Sequence, residues 1–217
     1  MSEFEYFFAF IAILLGLALG AIISKLGDAL SARRNLHLGW LSPLLALVVL
    51  LDITSFFVWI WSARAFFTTS WMSMNGGTLM ALGYFLAATL IFPRNLDAVA
   101  SLDDHYRDNK RLVIGALIAI NAVAYALQLW RVLPALSDGW FFFWFGLFWV
   151  PMIALYFGHS KRLEVILMLV LIFQALVPGT GLLPGSQWAT TLGLYGPVAD
   201  PAAVRHSPST TTSPISK

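Results

Sequence analysis

Cysteine is absent from the 217 residues, which excludes disulfides, thiolate nucleophiles and cysteine-ligated zinc or iron–sulfur centres. Charge is almost as scarce: Asp, Glu, Lys and Arg make up 11% of the chain, against about 25% in an ordinary soluble domain. A net charge of +2, with no long basic run, removes nucleic acid as a partner. Catalytic templates are missing as well. There is no His-Glu-x-x-His, no Gly-x-Ser-x-Gly and no phosphate-binding glycine loop. His37, His105, His159 and His206 all lie outside the apolar stretches, so no buried haem ligand pair is expected and no cofactor is implied.

What the chain has instead is apolar surface. Hydrophobic residues are 59% of the total, above the roughly 45–50% of soluble domains, and they run through nearly everything before Gly185. Six stretches stand out: Phe4–Ile23, Gly39–Trp61, Met72–Phe92, Leu112–Trp130, Gly139–Phe157 and Leu163–Leu183. Each is near the ~20 residues that carry a helix across a bilayer. None alternates apolar and polar residues as a membrane β-strand does, so helices are the expected spanning form. The predicted architecture is all-α: a polytopic transmembrane bundle of about six spans over residues 1–184, with no soluble domain. The Met1-Ser2-Glu3-Phe4-Glu5 start lacks a basic n-region and reads as a retained first span rather than a signal peptide. Residues 185–217 are rich in Pro, Ser and Thr and are expected to form a disordered tail.

The basic residues alternate along the chain. Lys25, Arg33, Arg34, Arg94, Arg107, Lys110, Arg111, Lys161 and Arg162 fall in every second connection, nine of the 13 Lys and Arg. The positive-inside bias places those connections in the cytoplasm, and both chain ends on the other side. Trp59, Trp61, Trp71, Trp130, Trp140, Trp144 and Trp188 collect near the predicted outer ends, where amphipathic rings favour the headgroup level. Trp40 would mark an inner end, and Trp149 would sit deeper. Pro178, Gly179, Gly181 and Pro184 crowd the last stretch, which reads as a kinked crossing or a re-entrant segment.

Three constellations are candidates for function. Ala12, Gly16, Gly20 and Ser24, spaced by four, form a ridge of small residues that lets helix backbones approach closely. It would serve either an oligomer interface or packing within the bundle. Asp52 falls near the middle of the second stretch, followed by Thr54 and Ser55, where a charged aspartate costs roughly 2.5–3.5 kcal/mol to insert. It is expected to face the bundle interior or water, protonated or partnered, as a proton or cation site or as a hydrogen-bonded structural acid. Asn121, Tyr125 and Gln128 share a helix face that would join Asp52 in a polar track, and Asn75, Tyr84 and Gln174 are further contributors.

The third constellation is the predicted cytoplasmic loop Ser101–Arg111. Ser101 and Asp104 resemble a capping box, so a helix should begin there and continue into the fourth span. Asp103 and Arg107 are four apart, as are Asp104 and Asp108, a spacing typical of a solvated, salt-bridged face. With His105 these acids also form the nearest approach to a metal or partner-docking site, and no metal is expected there.

The chain resembles a loose group of uncharacterised bacterial multi-pass membrane proteins. The resemblance rests on Phe4-Glu5-Tyr6 leading into Leu15-Gly16-Leu17-Ala18-Leu19-Gly20, on Ala32-Arg33-Arg34, on Gly39-Trp40-Leu41, on the aromatics around Trp59 and Trp61, and on Phe92-Pro93 before the second basic loop. It covers most of residues 4–125 and implies a bacterial inner-membrane location, with no activity and no site residues. Three functions are compatible with these residues. One is a non-enzymatic scaffold, sensor or complex subunit acting by helix packing, with the lipid bilayer and a homo-oligomer or membrane-complex partner. Another is a proton- or cation-coupled transporter or channel centred on Asp52. The third, an embedded enzyme on a lipid substrate, has only the Asp103–Asp108 region to rest on.

Overall fold

The computed structural model describes residues 3–32, 39–64, 70–96 and 101–177, which hold six α-helices and no strand. They are α1 Glu3–Ser31, α2 Leu41–Ser62, α3 Trp71–Leu90, α4 Leu102–Arg131, α5 Gly139–Phe157 and α6 Lys161–Leu176. The expected kink around Pro178, the 185–217 tail, Arg33, Arg34 and His37 lie outside the described residues.

Local chemistry sets the helix starts. Glu3 and Glu5 occupy the first turn of α1, where carboxylates complement the amide end of the helix dipole. Ser70 Oγ accepts from Ser73 N, Ser101 Oγ from Asp103 N and Asp138 Oδ1 from Phe141 N, capping α3, α4 and α5. α4 therefore begins ten residues before its apolar run. At 1.5 Å per residue, α1 and α4 are about 43–45 Å long, more than the ~30 Å hydrocarbon core.

Four helices, α1, α2, α4 and α5, are long and apolar enough to cross a membrane. α3 has the length, but Ser73, Asn75 and Thr78 dilute its first half, and the described part of α6 has 16 residues.

The helices close a ring in the order α1, α3, α4, α5, α6, α2, and α2 also touches α3 and α4 across it. Close approach comes from small residues on α3. A methyl group added at Gly77 would come within 2.9 Å of Ile11 and 3.0 Å of Phe7 on α1, and one at Gly83 within 2.9 Å of Ile120 on α4. Ala81, Ala87 and Ala88 continue this buried surface. In lipid the gain from such contact is dispersion rather than removal of apolar area from water. Large apolar side chains meanwhile face outward all round the ring, among them Ile13, Leu17, Leu79, Leu112, Val150 and Ile166. A bundle this apolar outside, with polar groups inside, matches a lipid environment.

The C-terminal ends of α1, α3 and α5 and the N-terminal ends of α2, α4 and α6 meet at one end of the ring, tied by bonds from Leu41 to Asp103, Lys25 to Arg94, and Lys110 to Gly158. Lys25, Lys110 and Lys161 gather there and make it the basic end.

Candidate functional site: an aspartate beside a cavity at mid-bundle

Asp52 sits 11 residues after the start of α2, about 16 Å along the helix and near the middle of a ~30 Å core. Two donors converge on its Oδ2: the Tyr84 hydroxyl of α3 at 3.0 Å and Asn121 Nδ2 of α4 at 2.9 Å. Asn121 Nδ2 also donates to Leu117 O at 3.0 Å, which engages both of its hydrogens and fixes the amide orientation. No Lys, Arg or His among the described residues stands against Asp52, whose described side-chain partners are a phenol and an amide.

Asp52 also lines a cavity of about 110 Å³ between α2, α4, α5 and α6. The other polar groups on its wall are Ser55, Asn121, Tyr125 and Gln174, and Phe148, Met152 and Leu171 supply apolar wall. A water needs about 10–15 Å³ of such space, so several fit. Asp52 is correspondingly half-buried rather than sealed, and Ser55, one turn farther from the basic end, is exposed. Toward the basic end the cavity stops. Leu45, Leu117, Leu155 and Met168 lie one to two turns that way on the four lining helices, each with at most 1% exposure.

Beyond that apolar layer is a second polar layer. Lys110 of α4 pairs with Glu164 of α6 and donates to Gly158 O, and both side chains are almost fully buried. Lys161 of α6 pairs with Asp103 of α4, whose Oδ1 also accepts from Leu41 N at 3.4 Å. That bond serves the start of α2, where Trp40 offers no side-chain cap. Ser42 Oγ donates to Leu102 O at 3.1 Å beside it. Gly39, with φ +58°, lies so close to Asp103 that any side chain would collide with the carboxylate. Tyr106 is buried under these groups with no hydrogen-bond partner for its hydroxyl among the described residues.

The expected polar track is thus gathered in part. Asp52, Asn121, Tyr125, Tyr84 and Gln174 come together, whereas Gln128 is not on the cavity wall and Asn75 is exposed, bonded to Trp71 O. On the loop constellation, Asp103 reaches α6 and α2 rather than Arg107, while Asp104, Arg107 and Asp108 point to solvent. His105 Nε2 bonds Leu90 O at 3.1 Å, tying the end of α3 to the start of α4, and Asn109 covers the other side of the ring. No group of three metal-ligating side chains occurs among the described residues. Gly16, Gly20 and Ser24 are exposed on the outer face of α1, and no atom of the described residues lies within 4 Å of a methyl group added at Gly16 or Gly20. Trp149 is half-buried against Tyr125, Phe145 and Phe148.

Sequence reasoning missed Lys110, Glu164 and Lys161. A signal was present: Lys110 lies on the buried stripe with Tyr106, Val113, Ile114 and Leu117, and Glu164 with Met168 and Leu171. A charge on an apolar stripe calls for a buried partner. No protein-family model, curated protein or solved structure matches the chain.

Proposed function

We propose that this is a six-span membrane protein that binds and releases a proton or cation at Asp52, as the central step of coupled transport or conduction. The observation that carries the reading is the juxtaposition of an uncompensated carboxyl at mid-bundle with a polar cavity. An intramembrane acid paired with a lysine would be held in one charge state. Here Oδ2 is held by Tyr84 and Asn121, and Oδ1 receives no hydrogen bond among the described residues, which suits it to exchange. Access runs from the side of Ser55 and Gln174, and the apolar layer at Leu117 and Met168 blocks the way to the basic end. In this reading α3 and α6 also cross, and the basic end faces the cytoplasm of a bacterial inner membrane. The test is flux into proteoliposomes under an imposed membrane potential, with a lumenal pH dye and cation-selective dyes. Wild-type flux abolished in Asp52→Asn supports the reading; flux equal in the two proteins ends it.

A second reading, assembly through helix packing as a scaffold or complex subunit, is favoured by one observation. Gly16, Gly20 and Ser24 of the Ala12–Gly16–Gly20–Ser24 ridge are exposed, with Ala12 half-buried, and no described residue packs against Gly16 or Gly20. It predicts that Gly16→Leu or Gly20→Leu reduces the particle size in detergent and abolishes cross-linking; unchanged size and cross-linking would remove it.

A further inference from the structure

The hydrogen-bond inventory around the cavity is lopsided. The Tyr84 hydroxyl hydrogen is engaged by Asp52, and both Asn121 Nδ2 hydrogens are engaged by Asp52 and Leu117 O. Reversing the amide would set Asn121 Oδ1 against two other oxygens, so the orientation follows from the network. Asp52 Oδ1 and Asn121 Oδ1 are then left as acceptors to which no described residue donates, on residues that line one cavity with Ser55 and Gln174. Oxygens that lack donors call for water or a cation.

Charge narrows the choice. Among the described residues, Asp52 is the sole ionisable carboxyl on the cavity wall, and no basic residue lines it. One negative charge in a low-dielectric setting is neutralised by one positive charge, whereas a divalent ion would leave an excess charge buried. The volume of about 110 Å³ admits an ion with a water or two, and excludes organic ligands that need about 300 Å³ or more. Aromatic side chains on the wall, Tyr125 and Phe148, are compatible with a cation and unfavourable to an anion.

We infer that the cavity beside Asp52 is an oxygen-lined site for one monovalent inorganic cation, sodium, potassium or ammonium, ligated by Asp52, Asn121 and water. This deepens the reading of Asp52 as an exchange site and rests on it. The experiment labels Asp52 with a carbodiimide in the purified full-length protein and quantifies the adduct by mass spectrometry. Sodium, potassium, ammonium, magnesium and choline chlorides are compared at constant ionic strength. At ten times its Kd a bound ion should slow labelling about tenfold, since the free fraction falls as 1/(1 + [L]/Kd). Protection by at least one of the three small monovalent ions, with none from choline or magnesium, is the expected result. Equal labelling in all five salts would overturn the cation site while leaving proton exchange at Asp52 standing. Protection by magnesium alone would overturn its monovalent character. Absence of any label on Asp52 would overturn both the site and the exchange reading. Asn121→Ala should keep the labelling and lose the protection; full protection in that variant would remove Asn121 as a ligand.

Discussion

Glu164 and Asp103 each face a lysine at the basic end, whereas Asp52 at mid-bundle faces a phenol and an amide. The first two acids belong to a layer in which Lys110 and Glu164 are nearly inaccessible; the third borders a cavity. A buried ion pair satisfies each charge with the other and resists any change of state, because removing one partner strands the other. A carboxyl held by neutral donors keeps its hydrogen bonds in either protonation state. The basic end thus holds α2, α4 and α6 together, and the middle, in the proposed reading, is where the charge state changes.

The sharpest way to break this contrast is Lys110→Met, which leaves Glu164 buried without its cation. The expected loss is about 3–5 kcal/mol, read as the unfolding free energy in detergent, and adding Glu164→Leu in the same chain should recover most of it. Asp103→Ala removes an ion pair and the acceptor at the start of α2, for about 2–3 kcal/mol by the same measurement. Gly39→Ala should follow at about 1–2 kcal/mol, from a left-handed backbone and the neighbouring carboxylate. Asp52→Asn should change stability by less than about 1 kcal/mol while abolishing flux, because its amide oxygen accepts the same two hydrogen bonds. If Asp52→Asn destabilises as much as Lys110→Met, the two levels are both structural and the contrast is lost. Asp104→Ala and Arg107→Ala, both in solvent, should leave the unfolding midpoint where it is.

The parts legible in the sequence are those governed by local chemistry. Apolar runs mark six helices because backbone groups in lipid must be satisfied within the segment. Those runs understate α1 and α4, whose polar ends, up to Ser31 and from Leu102, are helical by capping and propensity and not by hydropathy. Asp52 and Asn121 were recognisable because polar residues at mid-depth need partners. Gln128 shares the helix face of Asn121 but lies about 10 Å farther along the axis, so face alone was an incomplete guide. The ion-pair layer was hidden for a different reason. Asp103 has Arg107 at helical spacing, yet its partner is Lys161, 58 residues away, and Lys110 finds Glu164 54 residues away. Spacing along one helix reports neighbours in sequence and is silent about which helix lies opposite. The outward turn of Gly16 and Gly20 was open for the same reason: a ridge of small residues does not say which neighbour it meets.

The two donors on Asp52 have different histories during synthesis. Tyr84 follows Asp52 by 32 residues and Asn121 follows it by 69, so α2 and α3 are already translated while α4 is still being made. At about 5–20 residues per second the interval is a few seconds. In the proposed six-span reading, the phenol is available to the aspartate during that interval, before the amide is translated. Of the two donors, Tyr84 is the one translated first and Asn121 the one that completes the pair on Asp52 Oδ2.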